Sequence, residues 1–166
     1  MEWMLRMRLW ALCLGSLLAL AGCGPGAAPP PAITEVEVRD YLARFEDATR
    51  RMDADALAPL VADWARFRIE VSGVTGDDVL HVGREEYLQS ARDLARFRAR
   101  LTYRPGPPRI EIAPDGASVR VWQDSRETLR VGELVLKSSS SGMSELRRGP
   151  VGLQLVHAEG RTVLSL

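Results

Sequence analysis

The chain has 166 residues, 46% of them hydrophobic and 27% charged, and its 22 basic residues balance 22 acidic ones. Zero net charge excludes a global attraction to nucleic acid or to anionic polymers. The length allows one ordinary domain with a single core and makes two domains improbable.

The amino end, MEWMLRMRLWALCLGSLLALAGC, carries Arg6 and Arg8, then about a dozen mostly apolar residues from Leu9 to Leu20, then Ala21-Gly22-Cys23. This is the pattern of a secretory signal and is too short to span a bilayer. Leu20-Ala21-Gly22-Cys23 resembles the lipobox of bacterial lipoproteins, which implies diacylglycerol on the Cys23 thiol, cleavage before it, and Cys23 as the first residue of the mature protein. Small residues let an extended backbone enter a peptidase, and a thiolate is a good nucleophile for accepting a lipid. Cys13 leaves with residues 1–22, so the mature chain keeps one sulfur, lipidated, and no disulfide. Removing those 22 residues, with Arg6, Arg8 and Glu2, leaves 144 residues with 20 basic and 21 acidic side chains. The expected location is the cell envelope. Gly24 rather than aspartate after the cysteine implies the outer membrane, facing the periplasm, if the cell is Gram-negative.

Residues 23–32 then form the lipidated cysteine and a linker of glycine, alanine and proline. Extended like polyproline at about 3.1 Å per residue, the nine residues after Cys23 reach roughly 28 Å. The folded domain, residues 33–166, is therefore expected close to a bilayer.

Thr34 and Glu37 form a capping box, with Ile33 and Val38 placed as its hydrophobic staple. Val38, Tyr41, Leu42, Phe45, Ala48 and Met52 recur at helical spacing, which predicts a helix with one buried face ending near Met52. After Asp53-Ala54-Asp55, the residues Leu57, Leu60, Val61 and Trp64 predict a shorter second helix, with Pro59 near its first turn. Phe67, Ile69 and Val71 alternate with charged residues as a strand does. Ser72 to Asp78 reads as a turn, and Gly83-Arg84-Glu85-Glu86 opens a third helix carrying Tyr87, Leu88, Ala91, Leu94 and Ala95.

The remainder reads as strand. Phe97, Ala99, Leu101 and Tyr103 alternate with Arg98, Arg100, Thr102 and Arg104. Ile110 and Ile112 lead into Pro114-Asp115-Gly116, a hairpin turn in which glycine accepts positive φ. Val119 and Val121 begin the next strand. Leu134 to Lys137 and Ser144 to Arg147 predict a long strand or a bent pair, and Leu153 to Val156 with Thr162 to Leu166 predict a last hairpin around Glu159-Gly160.

This is an α+β order. Two abutting helices, a strand, a third helix and then strands, with the phrases DADALAPLVADWA and GREEYL, resemble the nuclear transport factor 2-like superfamily over residues 33–166. That group includes polyketide cyclases, ketosteroid isomerases and many noncatalytic domains. The resemblance implies a cone-shaped curved antiparallel sheet wrapped around a long N-terminal helix, with two further short helices and an apolar pocket at the open end. It also implies a possible homodimer through the outer sheet face.

By the same resemblance, Tyr41, Asp63 and Asp124 could imitate an isomerase trio, which needs one carboxyl kept neutral and another kept charged. Each also has a plainer role: a core tyrosine, a helix end, and the turn Gln123-Asp124-Ser125. The expectation adopted is that none is catalytic. Tyr41, Trp64, Phe97, Tyr103 and Trp122 are the large aromatics expected to line a ligand pocket if they do not simply fill the core. Asp77, Asp78, His81 and Glu85 form a polar cluster with turn and capping roles, and no metal or other cofactor is expected. Arg92, Arg96, Arg98, Arg100, Arg104 and Arg109 make a basic run, read as a solvated strand face partly neutralised by neighbouring strands such as the one carrying Glu111 rather than as a strip facing anionic lipid. Ser138 to Ser141 is polar, with no chemistry attached. The function expected is noncatalytic: a membrane-anchored domain binding a small apolar or lipid-like ligand or a protein partner, with no nucleic acid. An isomerase, cyclase or dehydratase and a dimeric assembly module are the alternatives.

Overall fold

The structure, a computed structural model, describes residues 31–73 and 76–165. The signal, Cys23 and all but the last two linker residues lie outside the described residues. The elements in chain order are α1 (Glu35–Arg51), α2 (Ala54–Leu57), a 3-10 turn (Ala58–Leu60), β1 (Val61–Gly73), β2 (Asp78–Gly83), α3 (Arg84–Arg96), β3 (Arg100–Pro105), β4 (Arg109–Ile112), β5 (Ser118–Val131), β6 (Leu134–Gly149) and β7 (Gly152–Ser165). They form the α+β arrangement expected: three helices against one large, curved, unclosed sheet in the order β2-β1-β7-β6-β5-β3, with β4 also on β5. Every neighbouring pair is antiparallel except β1 and β7.

The start of α1 follows its sequence chemistry. The Glu37 N–H donates to Thr34 Oγ1, and the Thr34 N–H donates to the Glu37 carboxylate at 2.9 Å. Ile33 and Val38 are buried together beneath this box. Glu37 also receives both arms of Arg148 from β6, at 3.0 and 3.3 Å, which fastens the helix start to the sheet. Val38 and Tyr41 then enter the main core with Val119, Val121, Leu146 and Leu155 of the sheet, while Ala48 packs with Leu57 and Leu88.

Three expectations are corrected. The second helix stops early: Pro59 sits in a single 3-10 turn and β1 begins at Val61, because proline cannot donate the bond a continuing helix requires. Trp64 and Asp63 are therefore strand residues. The third helix runs one residue past Arg96 to a cap at Phe97, Arg98 turns the chain at φ 53°, and β3 starts only at Arg100. Finally, Glu159-Gly160 is no hairpin tip. β7 runs unbroken through it, with Gly160 opposite Gly142 of β6. A Cβ on Gly142 would stand 2.7 Å from the Glu159 carbonyl oxygen, and one on Gly160 2.7 Å from that of Ser141. The glycines let two long strands approach more closely than side chains permit.

Arg148, followed by the Thr34 N–H and hydroxyl, holds the Glu37 carboxyl at about 2, below its ordinary 4.5. A folded value below the unfolded one means the stabilisation is complete above the ordinary value and is lost as pH falls toward the folded one. Glu37→Gln should accordingly lower the melting temperature at about pH 6 and close the gap to the parent as pH approaches about 2. Circular-dichroism melts across that interval check it, and a gap independent of pH would mean that the ion pair contributes nothing.

Candidate functional site

Strand register arranges the concave face of the sheet in layers. Ile112, Val119, Leu146 and Leu155 share the lowest row, beside the core. Above them come Val121, Ser144, Ala158 and Phe67, and then Gln123, Gly142, Gly160 and Ile69. The next two rows are mostly polar: Ser125, Ser140 and Thr162, then Tyr103, Glu127 and Ser138. Leu101, Leu129 and Leu136 close the rim. The inward positions thus run apolar, polar, apolar along the strands.

A cavity of about 270 Å³ lies against these middle rows, with Phe45 of α1 and Tyr87 of α3 on its other side. This is near the small end of ligand sites, which span roughly 300–1,000 Å³. Its aromatic wall is a ladder: Tyr41 stacks on Phe45 at 5.9 Å, Phe45 on Tyr87 at 6.4 Å, and Tyr87 on Phe67 at 4.7 Å. Burial raises both Tyr41 and Tyr87 above the ordinary phenol range, so both remain neutral.

The opposite wall is polar. The Ser140 and Thr162 hydroxyls are hydrogen-bonded at 2.9 Å, and Gln123 Nε2 donates to the Gly106 carbonyl at 2.8 Å. Glu127 is half-buried, and burial raises its carboxyl above the ordinary range against the opposing bond from Ser125. Tyr103, directly opposite on β3, is pushed up to about 12, first by burial and then by the Glu127 and Glu46 carboxylates. Glu159 and Arg161 also border the cavity but occupy outward register positions beside Gly160. Glu127 is thus the titratable carboxyl on the inward wall among the described residues.

The trio Tyr41, Asp63 and Asp124 is not brought together. The Tyr41 hydroxyl is buried and donates to the Leu60 carbonyl at 3.0 Å. Asp63 projects from β1 with its side chain 94% exposed, 3.5 Å from Arg84. Asp124 lies on the outer face, opposite Ser141. Of the aromatics expected at a pocket, Tyr103 lines the cavity, and Tyr41 is one ring below it. Trp64 and Phe97 are 57% and 67% exposed. Trp122 faces outward, covered by the Arg109 guanidinium at 3.9 Å.

Asp78 bonds the Val79 N–H, His81 stands opposite Arg68, and Glu85 pairs with Arg84 and Arg92. Among the described residues no three such side chains gather around a cation position. The signal for the polar wall was present in the sequence as the alternation Gln123, Ser125, Glu127 and the alternate serines 138 and 140. It was hidden because the outward residues of the same strands are polar too.

The architecture has solved counterparts. A conserved protein from Planctomyces limnophilus is 25% identical, with 79% of this chain and 97% of that chain covered and a TM-score of 0.62. An NTF2-like protein from Cytophaga hutchinsonii is 16% identical, covering 78% and 98%, at a TM-score of 0.61. An NTF2-like family protein from Streptomyces avermitilis, provisionally assigned as a dehydratase, is 20% identical, covering 78% and 96%, at 0.59. Nothing among protein-family models or curated proteins matches the sequence. The domain has the nuclear transport factor 2-like fold.

Because Glu127 is raised in the folded state, its burial disfavours the charged form, and its relative contribution to stability falls as pH rises through the folded value. Glu127→Gln should melt higher than the parent at neutral pH and lose that advantage in acid, below the ordinary carboxylate range. Equal melting temperatures at both ends would place the carboxyl in free solvent.

Proposed function

We propose that the chain is a lipid-anchored envelope protein whose cone holds a small, mainly apolar molecule bearing one polar group, without chemical change to it. The cavity's construction supports this reading. A stacked aromatic wall supplies apolar contact, and Gln123, the facing hydroxyls and Glu127 supply hydrogen bonds from three successive rows of the opposite wall. Two-carboxyl acid–base chemistry needs partners whose environments drive their ionisation apart. Among the described residues the other carboxyls nearby are placed differently: Glu46 of α1 is paired with Arg50, and Glu159 holds an outward register position.

A dehydratase or isomerase is the second reading, favoured by the neutral phenol of Tyr103 opposite Glu127 and by a neighbour provisionally assigned as a dehydratase. There Glu127 would move the proton and Tyr103 would donate to a developing oxyanion.

Calorimetry of the full chain with 2-phenylethanol tests the binding site. Ala158→Leu, which projects into the cavity from the layer beneath Gly160, should weaken binding at least about tenfold, or about 1.4 kcal/mol, with the melting temperature maintained. Absence of binding, or binding indifferent to Ala158→Leu, would overturn the pocket reading.

The anchor has a separate test. Mass spectrometry of the membrane-extracted protein should find an amino terminus at Cys23 with diacylglycerol attached, whereas Cys23→Ser should retain residues 1–22 and carry no lipid. An unmodified Cys23 in the parent would remove the anchor from the proposal.

A further inference from the structure

The outer face of the sheet carries cation against cation at one end. Arg100 stands directly opposite Arg130, and Arg104 opposite Arg126. Lys137, the chain's one lysine, lies next across on β6, opposite Thr128. All five side chains are exposed, and among the described residues none is in an ion pair. The neutralisation expected from Glu111 does not occur, because that carboxylate stands opposite Arg120, in a row nearer the core. Like charges directly opposite on a sheet face are destabilising, so the row carries a cost that no internal contact offsets.

Two further observations share this end of the strands. Arg104, Arg126 and Arg161 border a surface concavity of about 790 Å³ that also includes Ser139, Ser141 and a single carboxylate, Asp124, so three cations face one acid there. Guanidinium forks with nearby hydroxyls suit phosphate oxygens. In addition, Phe97, 67% exposed, stands between Arg96 and Arg98 in the turn that leads to Arg100. A large apolar side chain set among arginines matches the boundary between headgroups and acyl chains.

We propose that this end of the outer face docks onto an anionic phospholipid surface, its arginines on headgroup phosphates and Phe97 at the acyl boundary. The chain is neutral overall, so attraction comes from where the charges stand. The arginines stand on the outer face, and Arg161 is shared with the border of the concave cavity. A polyanion without an apolar layer would leave Phe97 unused, and this favours lipid over an acidic protein.

Hydrogen exchange of the full chain tests it, in vesicles of phosphatidylcholine alone and of phosphatidylcholine with about one-third phosphatidylglycerol. The turn at 97–99 should exchange more slowly in the anionic vesicles only. That protection should vanish in about 0.5 M salt, where screening reaches within a few ångströms. Arg104→Gln and Arg126→Gln should each weaken it about fivefold, the factor one cation near an anionic surface contributes. Phe97→Ser, at an exposed position, should weaken it without lowering the melting temperature, which separates docking from damage to the fold. Equal exchange in the two vesicle types, or protection by soluble polyglutamate and not by vesicles, would overturn the proposal.

Discussion

The close approach of Gly142 and Gly160 is the constraint on which the rest depends. β5, β6 and β7 are each at least 14 residues long, and strands of that length stay together as a sheet but need a place to curve around a helix. Absent side chains at one register position on two adjacent strands provide it. Each missing Cβ would meet backbone oxygen, which cannot rotate away as a side-chain tip could. The glycine pair stands between a lower part of the concave face packed on α1 and an upper part that borders the cavity. Without it Ser140, Thr162 and Glu127 would have no curved wall to share.

Strand alternation then writes two surfaces into the same residues. In β5, Gln123, Ser125 and Glu127 face the cone while Asp124, Arg126 and Arg130 share the outer face. In β6 the serine run divides likewise, Ser138 and Ser140 inward and Ser139 and Ser141 outward. A shift of one residue in register would exchange these sets and drive arginines into the cone. The apolar lower rows exclude that shift, because Val119, Val121 and Leu146 would leave the core with it. Burial at one end of each strand therefore fixes the chemistry displayed at the other.

This explains what the sequence could disclose. The first helix was legible to within a residue because Thr34, Glu37, Ile33 and Val38 act locally, and Pro114-Asp115-Gly116 specifies its turn alone, with Gly116 at φ 66°. The α+β class followed from the change of periodicity. Glu159-Gly160 misled because a glycine inside a strand and a glycine in a turn look the same until its partner, Gly142, is known. Phe97 misled because alternation continues through a helix cap. The trio Tyr41, Asp63 and Asp124, named by resemblance and expected to be noncatalytic, is dispersed because sequence order carries no statement of which face a strand residue occupies. Glu127 was missed because its inward position is set by pairing with Tyr103 across two strands.

The outer face differs from one end to the other in how its charges are satisfied. Near the core, Arg66, His157, Glu145, Arg120 and Glu111 follow one another across five strands, so most cations there have an acid beside them within the sheet. In the next rows Arg68 stands opposite Glu159, and Arg161 opposite Ser141 with Glu70 on its other side. At the distal end Arg104 meets Arg126 and Arg100 meets Arg130, and compensation stops. A second copy laid across this face could match the alternating rows of the near end with its own. Laid across the distal end on a twofold axis, it would set arginine against arginine. Any self-association through the outer face would therefore be favoured by charge only at the end near the core, where acids and bases alternate.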